Sequence, residues 1–242
     1  MSDLRISIVI PAYNEGEEII KCLDQILAAV TSPCELLVVF DRPEDTTADP
    51  ARRYAEREPR IRPLLNDIRP GPAAAILAGI RQAQAPVVVV TMADGSDQPA
   101  QIEELAGLVE EGAVVAAASR YMRGGSQVGG PWLKGLVSRT AGVSLHLLAR
   151  VGTHDPTNSF KAYSKAFIEE VGVESDAGFE MGIEMVAKAK RRHARVVEIP
   201  TVWLDRTVGQ SNFKIRQWIP RYLRWYLFAL LPFYGGKWPP RS

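Results

Sequence analysis

The sequence predicts an α/β fold, a mostly parallel central sheet with helices on both faces, followed by a C-terminal amphipathic helical segment. Three observations carry this. Short apolar runs alternate with stretches of helical periodicity along the first half of the chain. The runs are apolar at almost every position, as strands buried on both faces must be. Several of them close on a cluster of polar residues, which is where open α/β sheets bind their ligands.

Ile6–Ile10 is the first such run, ending at Pro11. From Glu17 to Val30 the apolar residues Ile19, Ile20, Leu23, Ile26 and Leu27 have helical spacing. Leu36–Phe40 reads as a second buried strand, closed by Asp41, and a helix around Pro50–Glu58 follows. Ile61–Leu65 is a weaker third strand. Gly71-Pro72 opens an alanine-rich helix over 73–83, since proline suits the first helical position. Pro86–Met92 is a fourth strand, and 101–110 with 113–119 repeats the helix and strand pattern. From Gly124 the alternation breaks into glycine-rich loop, helix and mixed elements, expected to build the acceptor side. Gly124-Gly125 and Gly129-Gly130 suggest a mobile loop over the site or a plain flexible connection.

With 46% hydrophobic and 24% charged residues, the 242-residue chain has material for one large domain. The first residues lack an apolar core of the secretory kind, so no signal peptide is expected. Cys22 and Cys34 suit reduced, half-buried thiols of a cytosolic protein better than a disulfide framework. The net charge of +1 conceals an asymmetry: residues 186–242 carry 12 Lys or Arg against 2 acids. Trp218, Tyr222, Trp225, Tyr226, Phe228, Phe233, Tyr234 and Trp238 accompany them. Basic and aromatic residues together suit an anionic membrane surface, and no nucleic-acid motif accompanies them. No stretch reaches the roughly 18 apolar residues of a membrane span. The expected division is therefore a domain over 1–211 and a membrane-interfacial segment over 212–242, at the cytoplasmic, inner face of the membrane. A helix docked on the core or on a second subunit, as in a homodimer, is the alternative.

The strand ends carry Tyr13-Asn14-Glu15, Asp41-Arg42, Asp94-Gly95-Ser96-Asp97 and Arg120-Tyr121. Neither a G-x-G-x-x-G dinucleotide loop after the first strand nor a G-K-[ST] phosphate loop is present, which disfavours oxidoreductases and P-loop nucleotidases. A carboxylate such as Asp94, ending a buried strand, is well placed to hold Mg²⁺ or Mn²⁺ against a diphosphate, with Ser96 beside it. Each residue also has a plainer reading. Asp94 or, better, Asp97 could cap the helix that follows. Asp41 could start a turn, and Glu15 could complement a helix dipole. His146 lies among apolar residues, His154 and His193 show no partner pattern, and all three read as structural.

In order and spacing, I-V-I-P-A-Y-N-E-G-E (8–17), A-D-G-S-D-Q-P (93–99), A-S-R-Y (118–121), D-P-T-N-S-F-K-A-Y (155–163), G-F-E-M-G-I-E-M (178–185) and D-R-T-V-G-Q-S-N-F-K (205–214) resemble glycosyltransferase family 2. Within it they are most similar to the dolichyl and polyprenyl phosphate sugar transferases, over nearly the whole chain. The resemblance implies a GT-A (Rossmann-like) fold and an inverting transfer. It places a nucleotide-sugar donor over Pro11, Tyr13, Glu15 and Asp41. It assigns Asp94 to the metal, and Arg120, Lys134 and Ser138 to the acceptor phosphate. Arg206 matches a basic residue near that phosphate, and Asp155 opens a segment beside the reaction centre.

The family's Asp-x-Asp reads Met92-Ala93-Asp94 here, so fewer protein ligands are expected at the metal. The leading function is transfer of a hexose from a GDP- or UDP-sugar to a polyprenyl phosphate. Transfer to a sugar hydroxyl, with Asp155 as base, is a second reading. A non-catalytic nucleotide-sugar binder is a third.

Overall fold

The structure, a computed structural model, describes residues 3–130, 132–176, 178–205 and 215–231; the side chains of 133, 134 and 215–218 also lie outside the description. Nine strands and eight helices follow one another among the described residues. The first half alternates β1 (Ile6–Ala12), α1 (Glu18–Ala29), β2 (Cys34–Phe40), α2 (Ala48–Ala55), β3 (Ile61–Leu65), α3 (Pro72–Gln82), β4 (Val87–Val90), a 3-10 turn at Pro99–Gln101, α4 (Ile102–Glu110) and β5 (Val115–Ser119). There follow β6 (Ser126–Val128), α5 (Trp132–Ala149), β7 (Lys161–Ser164), α6 (Lys165–Val171), α7 (Met181–Arg191), β8 (Val196–Pro200), β9 (Val202–Leu204) and α8 (Ile215–Leu230).

Seven strands form one sheet in the order β3-β2-β1-β4-β7-β5-β8. All neighbours are parallel except β7, which runs antiparallel to both β4 and β5. The sheet is thus the expected mostly parallel one. Successive residues of β1 and β2 feed opposite layers. Ile6, Ile8, Ile10, Leu36 and Val38 pack with α1 and α4, whereas Val9, Leu37 and Val39 pack with residues of α3, α7 and α8. This two-sided burial is why the strands read as unbroken apolar runs.

The loop at 124–130 is built into the fold. Ser126–Val128 pairs with Val202–Leu204 as a small parallel sheet, and Ser126 N donates to Thr201 O at 2.9 Å. A Cβ on Gly125 would stand 2.3 Å from Ser119 O, so the chain folds back directly upon the end of β5. The glycines therefore serve close packing, not the mobility the sequence suggested.

α8 docks on the core through Trp225, Phe228 and Ala229, all buried. Arg191 of α7 donates from Nε to Phe228 O at 2.9 Å and from Nη2 to Leu231 O at 2.6 Å, placing a cation at the helix C-terminus. The opposite side leaves Ile219, Leu223 and Leu231 exposed. No described helix is long and apolar enough to cross a membrane.

Candidate active site

The parallel strands β1, β2, β4 and β5 deliver the predicted residues to one edge of the sheet. Pro11 is buried in β1 itself, and the chain then turns sharply through Asn14, whose φ is 55°. Tyr13 emerges 56% exposed. A cleft of about 320 Å³ lies here, lined by Tyr13, Asn14, Arg42, Glu44 and Asp45. Its walls are fixed by a residue that sequence reasoning did not single out. The buried Asp45 carboxylate accepts from Asn14 N at 3.1 and 3.2 Å and from Thr47 N at 2.8 Å. Thr47 Oγ1 in turn accepts from Glu15 N at 3.1 Å. Glu15 precedes α1 and is not in its first turn, so the dipole reading does not describe it.

Asp41 is no isolated turn residue. Its carboxylate accepts from Asn66 Nδ2 and from Gly71 N, both at 2.7 Å, joining the ends of β2 and β3 to the start of α3. The sequence offered little sign of Asn66, a polar residue between a weak strand and a loop.

At the end of β4, Asp94 accepts from Ser96 N at 3.1 Å. Neither Asp94 nor Asp97 caps a helix, because the N-cap residues of the 3-10 turn and of α4 are Gln98 and Gln101, and neither makes a side-chain cap hydrogen bond. Asp97 turns inward and accepts from Thr91 Oγ1 and Met92 N, each at 3.0 Å. Burial pushes its carboxyl up to about 6, with the Met92 N–H opposing and the Asp94 charge adding to the rise. The buried Cys22 thiol is pushed up to about 12 by burial and by Asp97, Asp94 and Glu15, so these carboxylates converge on one neighbourhood. Ser96 Oγ is buried and has no hydrogen-bond partner. Carboxylate and hydroxyl oxygens are the donor type that Mg²⁺ or Mn²⁺ selects, so Asp94 and Ser96 are compatible in chemistry with such an ion.

The third group lies at the end of β5. Arg120 and Asp155 form a fork: Nε donates to Oδ2 at 2.6 Å and Nη2 to Oδ1 at 2.9 Å. Oδ2 also accepts from Arg120 N at 3.1 Å, and Oδ1 from Thr157 Oγ1 and Asn158 N, both at 3.1 Å. Although burial raises the Asp155 carboxyl, Arg120 outweighs it and holds the group below its ordinary value. Ser138 Oγ lies 2.6 Å from Thr157 Oγ1 and 3.5 Å from Arg120 Nη2, so α5 reaches this cluster. Beneath the turn, fully buried Lys161 donates to Asp155 O at 3.2 Å and to Asn158 O. Burial pulls its amine down to about 8, against the Asp155 charge. A lysine inside a strand reads as solvent-facing, and only the topology reveals this role. Lys134 falls in α5, but its side chain, like the whole of Arg206, lies outside the described residues.

Two further expectations are corrected. Both cysteines are buried, not half-buried. His154 Nδ1 lies 2.5 Å from Glu198 Oε1, so His154 does have a polar partner, and its ring stacks on that of His146 at 3.6 Å.

Residues 7–172 match the family model described as glycosyl transferase family 2. The chain belongs to that family. Among its relatives in the family, the polyprenol monophosphomannose synthase of Mycolicibacterium smegmatis is 31% identical over 234 residues, covering 88% of this chain and 86% of that protein. The dolichol-phosphate mannosyltransferase of Pyrococcus furiosus is 30% identical, covering 96% of this chain and 65% of its own length. The undecaprenyl-phosphate mannosyltransferase of Micrococcus luteus is 27% identical, covering 93% and 96%. The fold is that of the GT-A glycosyltransferases. Glucosyl-3-phosphoglycerate synthase from Mycobacterium tuberculosis, solved with Mn²⁺, UDP and glucosyl-3-phosphoglycerate, superposes with a TM-score of 0.71 at 19% identity, covering 94% of this chain and 80% of that one.

Proposed function

We propose that this family 2 glycosyltransferase moves a hexose from a GDP- or UDP-linked donor to a polyprenyl phosphate. The observation that carries the reading is the state of Asp155. Its two oxygens accept five hydrogen bonds, and its carboxyl is held low beside Arg120. A carboxylate so engaged is a poor proton acceptor, so Asp155 is ill suited to be the base that a sugar hydroxyl would need. A phosphate acceptor is already anionic at neutral pH and needs none. The names of the three curated relatives point the same way.

In this reading the donor's nucleoside lies in the cleft beside Tyr13 and Asp41, with its diphosphate toward Asp94. Arg120, Ser138 and Lys134 hold the acceptor phosphate, and Arg206 adds charge near it. Asp155 occupies the Nε–Nη2 edge of Arg120, so the guanidinium serves the phosphate through its remaining N–H groups and its permanent charge. An acceptor oxygen attacks the anomeric carbon as the bond to the diphosphate breaks, with inversion. Asp155 positions Arg120 and accepts no proton. Asp94 and Ser96 would hold Mg²⁺ or Mn²⁺, which supplies charge neutralisation for the departing nucleoside diphosphate. Positioning and electrostatics are the contributions this chain makes.

A lipid acceptor brings the enzyme to a membrane surface, at the cytoplasmic face in this reading. On α5 the exposed Trp132, Leu136 and Leu147 share one side with Arg139. α5 packs on α8, joined by Ser144 Oγ and Tyr226 Oη at 2.9 Å, and α8 exposes Ile219, Leu223 and Arg224. Apolar side chains interleaved with arginines suit an anionic lipid interface.

The test is a thermal-shift panel of GDP, UDP and their hexose conjugates, with and without Mg²⁺ or Mn²⁺, followed by transfer to a short-chain polyprenyl phosphate. Ligand at a hundred times its dissociation constant should stabilise the protein by about 2.7 kcal/mol. A metal-dependent shift with one base, lost in Asp94→Ala, supports the donor assignment. Transfer to a sugar hydroxyl in preference to the phosphate would overturn the acceptor.

A further inference from the structure

His146, His154 and Glu198 have no part in the transfer reaction described above, yet the fold brings them together from three separate elements. His146 lies on α5, His154 in the loop before β7, and Glu198 in β8. One ring nitrogen from each histidine and a carboxylate oxygen of Glu198 all lie within 4.8 Å of one another. From this geometry we propose a second cation site, separate from Asp94 and Ser96, that takes a borderline transition ion, Zn²⁺ foremost, through two imidazoles and one carboxylate.

The second observation concerns His146. Its Nδ1 is buried and has no hydrogen-bond partner. A buried imidazole nitrogen without a partner is costly, and such atoms in native structures call for an explanation. A metal ion supplies one. The other two groups meet each other directly: His154 Nδ1 and Glu198 Oε1 lie 2.5 Å apart, a hydrogen bond that an ion bound between them would replace. Glu198 Oε2 accepts from His154 N at 2.7 Å and from Thr153 Oγ1 at 3.0 Å, which aims Oε1 at His154. The imidazole rings stack at 3.6 Å with only 19° between their planes. Bonds of about 2.0–2.1 Å to one Zn²⁺ require the rings to turn out of that stack toward a common point. All three residues are half-buried, so a fourth position stays accessible to water.

The donor set decides which ion. Imidazole nitrogens suit Zn²⁺, Co²⁺ and their neighbours, whereas Mg²⁺ and Mn²⁺ prefer the oxygen-rich surroundings of Asp94. The site also grips the turn that positions Arg120. His154 directly precedes Asp155, and Asp155 N donates to Thr153 Oγ1 at 3.0 Å. An ion here would tie α5, β8 and that turn together.

Co²⁺ serves as a spectroscopic probe on the full-length protein after chelator treatment, with no nucleotide present. Wild type and Asp94→Ala should each bind one Co²⁺ with visible d–d absorption, displaced by Zn²⁺ and not by Mg²⁺. Zn²⁺ alone should raise the melting temperature of both. His146→Ala and Glu198→Gln should each weaken Co²⁺ binding at least about tenfold. Absence of the absorption band in wild type overturns the proposal without reference to any variant. So does a band that persists unchanged in either His146→Ala or Glu198→Gln. Loss of binding in Asp94→Ala would assign the ion to the donor site instead. The nucleotide panel above is read with Mg²⁺ or Mn²⁺, so failure of that reading leaves this result distinguishable.

Discussion

Asp155, fully buried, forks onto the guanidinium of Arg120 at 2.6 and 2.9 Å, thirty-five residues away along the chain. The pair fixes the end of β5 to the turn before β7 and leaves the carboxylate no free lone pair directed at a proton donor. Removing one partner of a buried ion pair leaves the other charge uncompensated and typically costs about 3–5 kcal/mol.

Asp155→Ala should therefore unfold by that much more readily, and Asp155→Asn by less, since the amide still offers one acceptor oxygen. Activity should fall in both. The informative readout is the pH profile of kcat/KM. A positioning role predicts that Asp155→Asn keeps the acidic limb of wild type at a lower plateau. Disappearance of that limb, with rates that no longer respond to acid, would identify Asp155 as a general base and restore the hydroxyl acceptor.

Asp97 gives a pH effect of the opposite kind to a paired carboxylate. Its folded value, about 6, lies above the roughly 3.9 of an unfolded aspartate. Between these values the folded state binds more protons than the unfolded one, so stability declines as pH rises from about 4 to 6. Above pH 6 the full cost of the buried anion is present. Asp97→Asn, measured without divalent ions, should be the more stable protein at pH 7 by an amount on the order of 2 kcal/mol. The advantage should vanish below pH 4. Denaturant titrations at pH 3.5, 5 and 7 check this; equal gaps at all three would sink the assignment of the buried charge to Asp97.

Glycines on two helices predict opposite signs for the same substitution. A Cβ on Gly107 of α4 meets only Arg5 Nη2 at 3.9 Å, an ordinary contact. Alanine there should stabilise by up to about 1 kcal/mol through helix propensity. A Cβ on Gly142 of α5 would lie 2.2 Å from His154 O and 3.1 Å from Pro156 Cδ. Gly142→Ala should destabilise by about 1–3 kcal/mol and displace the turn that carries Asp155, lowering activity as well. Thermal melts of the two variants side by side distinguish packing from propensity, because a gain at both positions would mean that α5 does not press on the turn.

The strands and their polar ends were legible because β1, β2 and β4 are buried on both sides and stop where the cleft begins. Tyr13, Asp41 and Asp94 follow from that rule, and Arg120 from the same rule applied to β5, whereas Pro11 rested on the family resemblance alone. What sequence could not provide is which long-range partner each residue meets. Asp155 resembled a free base until Arg120 was seen to fill it, and Asp97 resembled a helix cap until it turned toward Met92 N. Lys161 and the pairing of His154 with Glu198 depend on β7 running antiparallel between β4 and β5, an insertion that no local pattern announces. The glycine pairs at 124–130 misled for a related reason: close approach to Ser119 and pairing with β9 are contacts with distant residues.

The exposed side of α5 yields the last prediction. Trp132, Leu136 and Leu147 stand in solvent beside Arg139, although burying one such apolar side chain is worth about 1.5–3 kcal/mol. If this side rests on lipid, the full-length protein should sediment with anionic vesicles, and Trp132→Glu with Leu136→Glu should weaken the partition by about tenfold or more. Raising salt should weaken binding without abolishing it, since screening removes the arginine contribution and leaves the apolar one. Neither substitution touches the buried core, so both variants should melt near wild type. Vesicle binding that is unchanged in the double variant, or that vanishes entirely at high salt, would show that α5 is not the lipid-facing element.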